Sequence, residues 1–264
     1  MNHIRITSAS NPIIKELRSL ADKKGRLQEK ALLLEGLRLV EDAADFGADI
    51  RYFVVSDNYL GRNESLLSRF PHHRVILLPD DLFRRVGGTE NPQGIIAVVE
   101  LPTHDQAGIL SQVNRIIVLE GLQDPGNVGT IIRTADACGF DAILLSKDCV
   151  DPYNPKVIRS TMGSLFHLPV LICEDIYQTL EALKKRSIQI IAAHPREAMP
   201  CWEADLSKDI ALVIGNEGNG LTECMLNLSD KKVMIPMCGR TESLNASTAA
   251  AMLLYEGMRQ RHQR

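Results

Sequence analysis

Ala211-Leu212-Val213-Ile214-Gly215-Asn216-Glu217-Gly218-Asn219-Gly220 is the stretch on which the fold assignment turns. Four apolar residues in a row, without alternation, predict a strand covered on both faces, as in a parallel sheet. Three glycines, two asparagines and an acid follow at once. In open α/β sheets ligands bind beyond the carboxyl ends of the strands, where such a loop lies. A glycine-built strand-to-helix turn is the simpler account. Three glycines beside a carboxylate also suit close approach of backbone to a ligand. The loop matches neither the dinucleotide G-x-G-x-x-G pattern nor a P-loop, since no Gly-Lys-Ser/Thr follows.

Reading outward, the same pattern recurs. Candidate strands are Ile116–Leu119, Ala142–Leu145, Val170–Ile172, Ile188–Ala192 and Val233–Ile235. Candidate helices lie near 128–138, 175–186, 222–227 and 245–261, giving an α/β alternation. Two further polar loops fall at strand ends. Asp124-Pro125-Gly126-Asn127-Val128-Gly129 opens a helix that carries Arg133 about two turns on. Ile235-Pro236-Met237 precedes Ser243-Leu244-Asn245, where Ser243 or Asn245 can cap the last helix. Capping and a role in a neighbouring pocket are compatible. His194, before Pro195, reads as structural. No Ser-His-Asp, Cys-His or paired-carboxylate arrangement emerges, which disfavours a hydrolase.

Upstream lies a second alternating series. Ser10-Asn11-Pro12 starts a helix with a capping side chain and a well-placed proline; Ile13, Ile14, Leu17 and Leu20 share one face, and the helix fades near Gly25. Apolar runs follow at Leu32–Leu34, Tyr52–Val55, Val75–Leu78 and Ile95–Val99, separated by helical patterns at about 36–46, 58–69 and 80–86. The polar, Pro- and Gly-broken 101–108 segment reads as a linker, so the expected domains are 1–105 and 106–264. The first 38 residues carry eight basic side chains against four acidic ones, although the whole chain has a net charge of −3. Local charge governs phosphate binding, which makes Lys15, Arg18, Lys23, Lys24 and Arg26 candidate RNA contacts. A solvated helix face is the plainer alternative.

At 45% hydrophobic and 24% charged, the 264-residue composition is that of globular domains. No run suffices to span a membrane, and the first residues lack an apolar signal core, so a cytoplasmic protein is expected. The six cysteines are scattered without a Cys-x-x-Cys pair, which predicts reduced thiols and no metal site.

Taken together, the three loops resemble the signature motifs of the SpoU (TrmH-type) branch of the SPOUT RNA methyltransferases. Asn127-x-Gly129-x-x-x-Arg133-x-Ala135 resembles the first motif, Gly215-Asn216-Glu217-Gly218-x-Gly220 the second, and Ile235-Pro236-Met237 with Ser243-Leu244-Asn245-Ala246-Ser247 the third. Asp151-Pro152-Tyr153-Asn154-Pro155-Lys156-x-x-Arg159 looks like a further family segment, and the likeness spans about 114–260. Ser10-Asn11-Pro12-x-x-Lys15, with Leu34-Glu35-Gly36, resembles the substrate-binding domain of ribosomal RNA members, which is similar to a ribosomal-protein α/β fold.

The resemblance implies transfer of methyl from S-adenosylmethionine to a ribose 2′-hydroxyl of ribosomal RNA. It also implies a C-terminal trefoil knot and a homodimer formed through the last helix and the knot. By motif position, Gly215, Glu217, Gly220, Ile235 and Leu244 would hold the cofactor. Arg133, Asn127, Glu217, Ser243 and Asn245 would carry the reaction. Two alternatives within the resemblance are a non-catalytic RNA-binding factor on the same fold and a tRNA ribose methyltransferase.

Overall fold

The computed structural model describes residues 3–60, 74–89, 91–241 and 243–263. The chain forms two compact units, Met1–Thr103 with Tyr153–Phe166, and His104–Pro152 with His167–Arg264. The first unit is built on strands β1 (His3–Arg5), β2 (Ala31–Glu35), β3 (Ile50–Ser56), β4 (Arg74–Leu78) and β5 (Ile95–Glu100), in the order β1-β4-β3-β5-β2. β1, β4 and β3 run parallel, whereas β5 pairs antiparallel with both β3 and β2. Its helices before residue 100 are α1 (Pro12–Ser19), α2 (Lys23–Glu29), α3 (Leu37–Asp45), α4 (Asp57–Leu60) and α5 (Asp80–Val86). Asn11 caps α1 by accepting from the Ile13 N–H at 3.0 Å, and Pro12 occupies the first turn. Ile14, Leu17 and Leu20 bury that helix against Ile76, Leu78, Phe83 and Val98. Burying each such side chain contributes on the order of 2 kcal/mol.

Two expectations for this unit change. The first helix does not continue to Gly25: it stops at Ser19 and a second helix begins at Lys23. Gly25 lies inside that second helix, where an added Cβ would come 2.0 Å from the Ser19 carbonyl oxygen. The glycine therefore serves close helix packing rather than termination. The helix expected over 58–69 starts as α4, and its remainder from residue 61 lies outside the described residues.

The second unit carries seven parallel strands: β6 (Arg115–Leu119), β7 (Ala142–Ser146), β8 (Val170–Cys173), β9 (Gln189–Ala193), β10 (Met199–Pro200), β11 (Ile210–Ile214) and β12 (Lys231–Met234). Their order is β10-β12-β9-β11-β6-β7-β8. Helices α6 (Gln106–Gln112) and α7 (Pro125–Ala137) come first; α8 (Pro155–Thr161) belongs to the first unit; α9 (Ile176–Lys185), α10 (Glu223–Leu228) and α11 (Ala246–His262) complete the second. Val118, Leu144, Ile190 and Val213 are fully buried in this sheet, as continuous apolar runs require. β11 sits between β9 and β6, with Ile210–Ile214 in register against Arg115–Leu119. That register sets the glycine loop after Ile214 beside the chain leaving Leu119 and beside His194. Among the described residues no helix is long and apolar enough to cross a membrane.

Candidate functional site

The loop after β11 is fastened at both ends. Asn216 and Gly220 exchange backbone hydrogen bonds, each at 3.0 Å. The Asn216 side chain accepts from the N–H groups of Gly218 (2.9 Å) and Asn219 (3.0 Å) and donates to the Gly121 carbonyl at 2.7 Å. At Gly215 a Cβ would fall 2.5 to 2.7 Å from backbone atoms of Gly220 and Leu221, so only glycine closes this turn. Beneath it lies Glu120, 5% exposed, which sequence reasoning did not single out. Its carboxylate accepts from the Thr222 N–H (3.0 Å), the Thr222 hydroxyl (2.8 Å) and the Tyr177 hydroxyl (2.8 Å). A buried carboxylate needs such partners, and they hold the far end of the loop to β6.

Three motif residues meet in one network. Asn127, 8% exposed, donates through Nδ2 to Glu217 Oε1 at 3.0 Å and accepts through Oδ1 from Asn245 Nδ2 at 2.9 Å. Asn245 meanwhile caps α11, its Oδ1 accepting from the Ser247 N–H at 2.9 Å and the Thr248 N–H at 3.2 Å. Asp124 caps α7 through the Asn127 N–H at 2.7 Å. Burial raises the Glu217 pKa. The Asn127 amide and the N–H groups of Glu217, Gln123 and Asp124 outweigh it and hold the carboxyl below its usual range. Glu217 is thus an anchored anion at the loop tip.

Gly215, Glu217, Gly220, Ile235, Ser243, Leu244 and Asn245 all line one cavity of about 460 Å³. Ile214, Val233, Ile235, Leu244 and Leu253 supply apolar walls, and Asn216, Glu217, Ser243 and Asn245 give the lining its polar side. A cavity of this size lies within the range of small-molecule sites. Apolar walls beside polar side chains suit a flat heterocycle joined to a polar tail, the chemistry of S-adenosylmethionine. The residues fit that group. His194 also lines the cavity, its Nδ1 at 2.5 Å from the Arg196 carbonyl oxygen.

Arg133 is not among the cavity residues. It is exposed on α7, about two turns beyond Asn127, and makes no hydrogen bond or ion pair with a described residue. Of the basic residues proposed to meet RNA, Lys15, Arg18, Lys23 and Lys24 are exposed. Arg26 is a correction: it is 4% exposed, and its Nη1 donates to the carbonyls of Leu20 (3.0 Å) and Ala21 (2.8 Å). Its guanidinium closes the end of α1 and is not free to take a phosphate.

This chain belongs to the SpoU rRNA Methylase family, whose sequence model matches residues 114–255. Residues 11–97 match the MRM3-like substrate binding domain. Among its relatives is 23S rRNA (guanosine(2553)-2′-O)-methyltransferase RlmP of Bacillus subtilis, 34% identical over 95% of this chain and 98% of that protein. An uncharacterized tRNA/rRNA methyltransferase of Synechocystis sp. is 37% identical over 97% of this chain and 93% of that protein. The crystal structure of the SpoU methyltransferase AviRb from Streptomyces viridochromogenes in complex with the cofactor AdoMet superposes with a TM-score of 0.86 at 29% identity, covering 96% of this chain and 98% of that one.

Proposed function

We propose that this chain transfers a methyl group from S-adenosylmethionine to a ribose 2′-hydroxyl of ribosomal RNA. The observation that carries the reading is the meeting of three distant loops: Glu217 and Asn245 line one cavity, and Asn127 ties them together by hydrogen bonds to both. The name of RlmP, a 23S rRNA 2′-O-methyltransferase, and the AdoMet complex of AviRb support the reaction and the cofactor. When bound, S-adenosylmethionine supplies a sulfonium methyl whose positive charge is lost on transfer, a change favoured by a water-poor cavity.

The chain's own residues divide the remaining work. Gly215, Gly220, Ile235 and Leu244 shape and line the cofactor cavity, with Glu217 at its rim. Asn127 and Asn245 hold Glu217 and the start of α11 in register. A guanidinium is a poor proton acceptor, so Arg133 acts by gripping an RNA phosphate or ribose oxygen rather than as a base. Ser243, exposed at the cavity edge, meets the ribose. Lys15, Arg18, Lys23 and Lys24 of an RNA-binding domain over 1–105 attract the phosphate backbone toward a catalytic domain over 106–264. The ribose hydroxyl is the group that distinguishes RNA from DNA at a site.

The chain works as a homodimer in the cytoplasm. Met252 and Tyr255, 46% and 58% exposed on α11, supply an apolar face for a second copy. The strand order β10-β12-β9-β11 fits the C-terminal knot that the family resemblance implies. The decisive assay incubates the protein with radiolabelled S-adenosylmethionine and unmodified ribosomal RNA, then digests with alkali. Label in alkali-resistant dinucleotides is expected, because a 2′-O-methyl blocks cleavage there. Label only in mononucleotides would mean base methylation, and no label on any RNA would favour a binding factor without catalysis.

A further inference from the structure

Arg18, Arg85 and Arg159 line one small cavity of the first unit, about 140 Å³ in volume. They come from α1, the end of α5 and α8, parts of the chain far apart in sequence. None of their side chains makes a hydrogen bond or ion pair with a described residue. Three arginines share this lining with a single carboxylate, so the cavity carries a net positive charge that a bound anion offsets. The one acid lining the cavity, Glu35, is already engaged: it accepts from the Gly88 N–H at 2.8 Å and from the Thr89 hydroxyl. Buried Leu17 and Ile158 add apolar lining to the same cavity.

Apolar lining together with unpaired guanidiniums is the chemistry of a nucleotide: the base meets the apolar side chains and the arginine planes, and its phosphate meets the charges. The volume admits one base and excludes a duplex. We propose that this cavity seats a single unstacked nucleotide of the RNA substrate, with Arg18, Arg85 and Arg159 as its phosphate and stacking contacts. Glu35 keeps acceptor sites beyond the two in use, so a base presenting an N–H edge is favoured. The proposal rests on the reading of the chain as an RNA enzyme and extends it to a second RNA locus outside the methyl-transfer cavity.

The test is fluorescence anisotropy of the full-length chain with a short labelled single-stranded RNA and with the same RNA as a duplex, across a salt series. Arg85→Gln/Arg159→Gln should weaken single-strand binding about tenfold, the loss of one stacked base and its phosphate. It should also lower the slope of log affinity on log salt by about 0.7 per lost contact. Duplex binding should fall much less. Arg18→Gln/Arg85→Gln, which leaves half-buried Arg159 in place, should reproduce the loss, and circular dichroism monitors folding of both. Lys185→Gln/Lys208→Gln, a charge-matched change in the second unit, should not. Unchanged single-strand affinity in both cavity variants overturns the proposal, as does an equal loss on duplex. Methyl transfer by the unmodified chain is measured alongside. If transfer occurs while the cavity variants bind normally, the cavity assignment fails and the enzyme reading stands. If transfer is absent while the variants lose single-strand binding, the cavity stands and the enzyme reading fails.

Discussion

In the second unit, Glu217, Asn127 and Asn245 are tied to one another at 2.9 to 3.0 Å. In the first, Lys15, Lys23 and Lys24 project into solvent with no partner among the described residues. The contrast matches the ligands proposed for them. A small cofactor must be held in one pose, so fixing its cavity before binding avoids ordering costs at the moment of capture. A polyanion is drawn in by field and counterion release, which solvated charges provide without a fixed geometry. Arg133 breaks the pattern: it lies in the second unit yet its side chain is as free as those of the lysines, and RNA is the partner proposed for it.

The contrast can be broken most directly at Arg133. Arg133→Ala should reduce methyl transfer by about 10²–10³-fold, the typical loss for a positioned electrostatic contact, while the thermal midpoint stays unchanged. An active variant would remove Arg133 from the mechanism. Gly215→Ala should weaken S-adenosylmethionine binding, read by calorimetry, about tenfold or more, equivalent to about 1.4 kcal/mol. Gly218→Ala should do far less, because its Cβ would meet only the Asn216 Oδ1 at 3.6 Å. Equal effects at the two glycines would mean that the close approach at Gly215 does not shape the cavity.

The α1–α2 pair sharpens the comparison within one unit. Arg26→Gln should cost about 1–3 kcal/mol of stability in urea unfolding by stranding the Leu20 and Ala21 carbonyls, with the salt dependence of RNA binding unchanged. Lys15→Gln/Lys23→Gln/Lys24→Gln should do the reverse, leaving stability intact and lowering the log–log salt slope by about 0.7 per lost contact on single strands. The smallest effect concerns pH. Glu217 has a depressed folded pKa, so its contribution is fully present above the unfolded carboxyl value of about 4.3 and is lost as pH falls through the lower folded value. The stability gap between the native chain and Glu217→Gln should therefore be constant near neutrality and shrink below about pH 4. A gap that widened on acidification would contradict the anchored-anion account.

Much of the catalytic unit was legible because parallel strands carry an unmistakable pattern. The run before Gly215 emerges as Ile210–Ile214, and the helix expected at 245–261 as Ala246–His262 with Asn245 as its cap. The strand expected at Val233–Ile235 begins two residues earlier, at Lys231, because Lys231 and Lys232 are only half-buried and carry no apolar signal. Glu120 stayed hidden for a different reason. An acid at the end of an apolar strand reads as a surface residue, and its partner Thr222 is 102 residues away. Arg26 was misread because charge counts do not distinguish an arginine that closes a helix from Lys23 and Lys24, three and two positions earlier, which face water.

The sequence by itself determined that the chain is α/β, that its glycine and asparagine loops follow strands, and that their spacing is that of a SpoU methyltransferase. These are local properties, since hydrophobic period, turn residues and motif spacing are read along the chain. Only the tertiary structure decided that Asn127, Glu217 and Asn245 share hydrogen bonds, that Tyr153–Phe166 belongs to the first unit, and that Arg18, Arg85 and Arg159 converge on one cavity. Each of those depends on which distant elements pack together. Strand order and register settle that, and the order β10-β12-β9-β11-β6-β7-β8 cannot be read from the residues of any one strand.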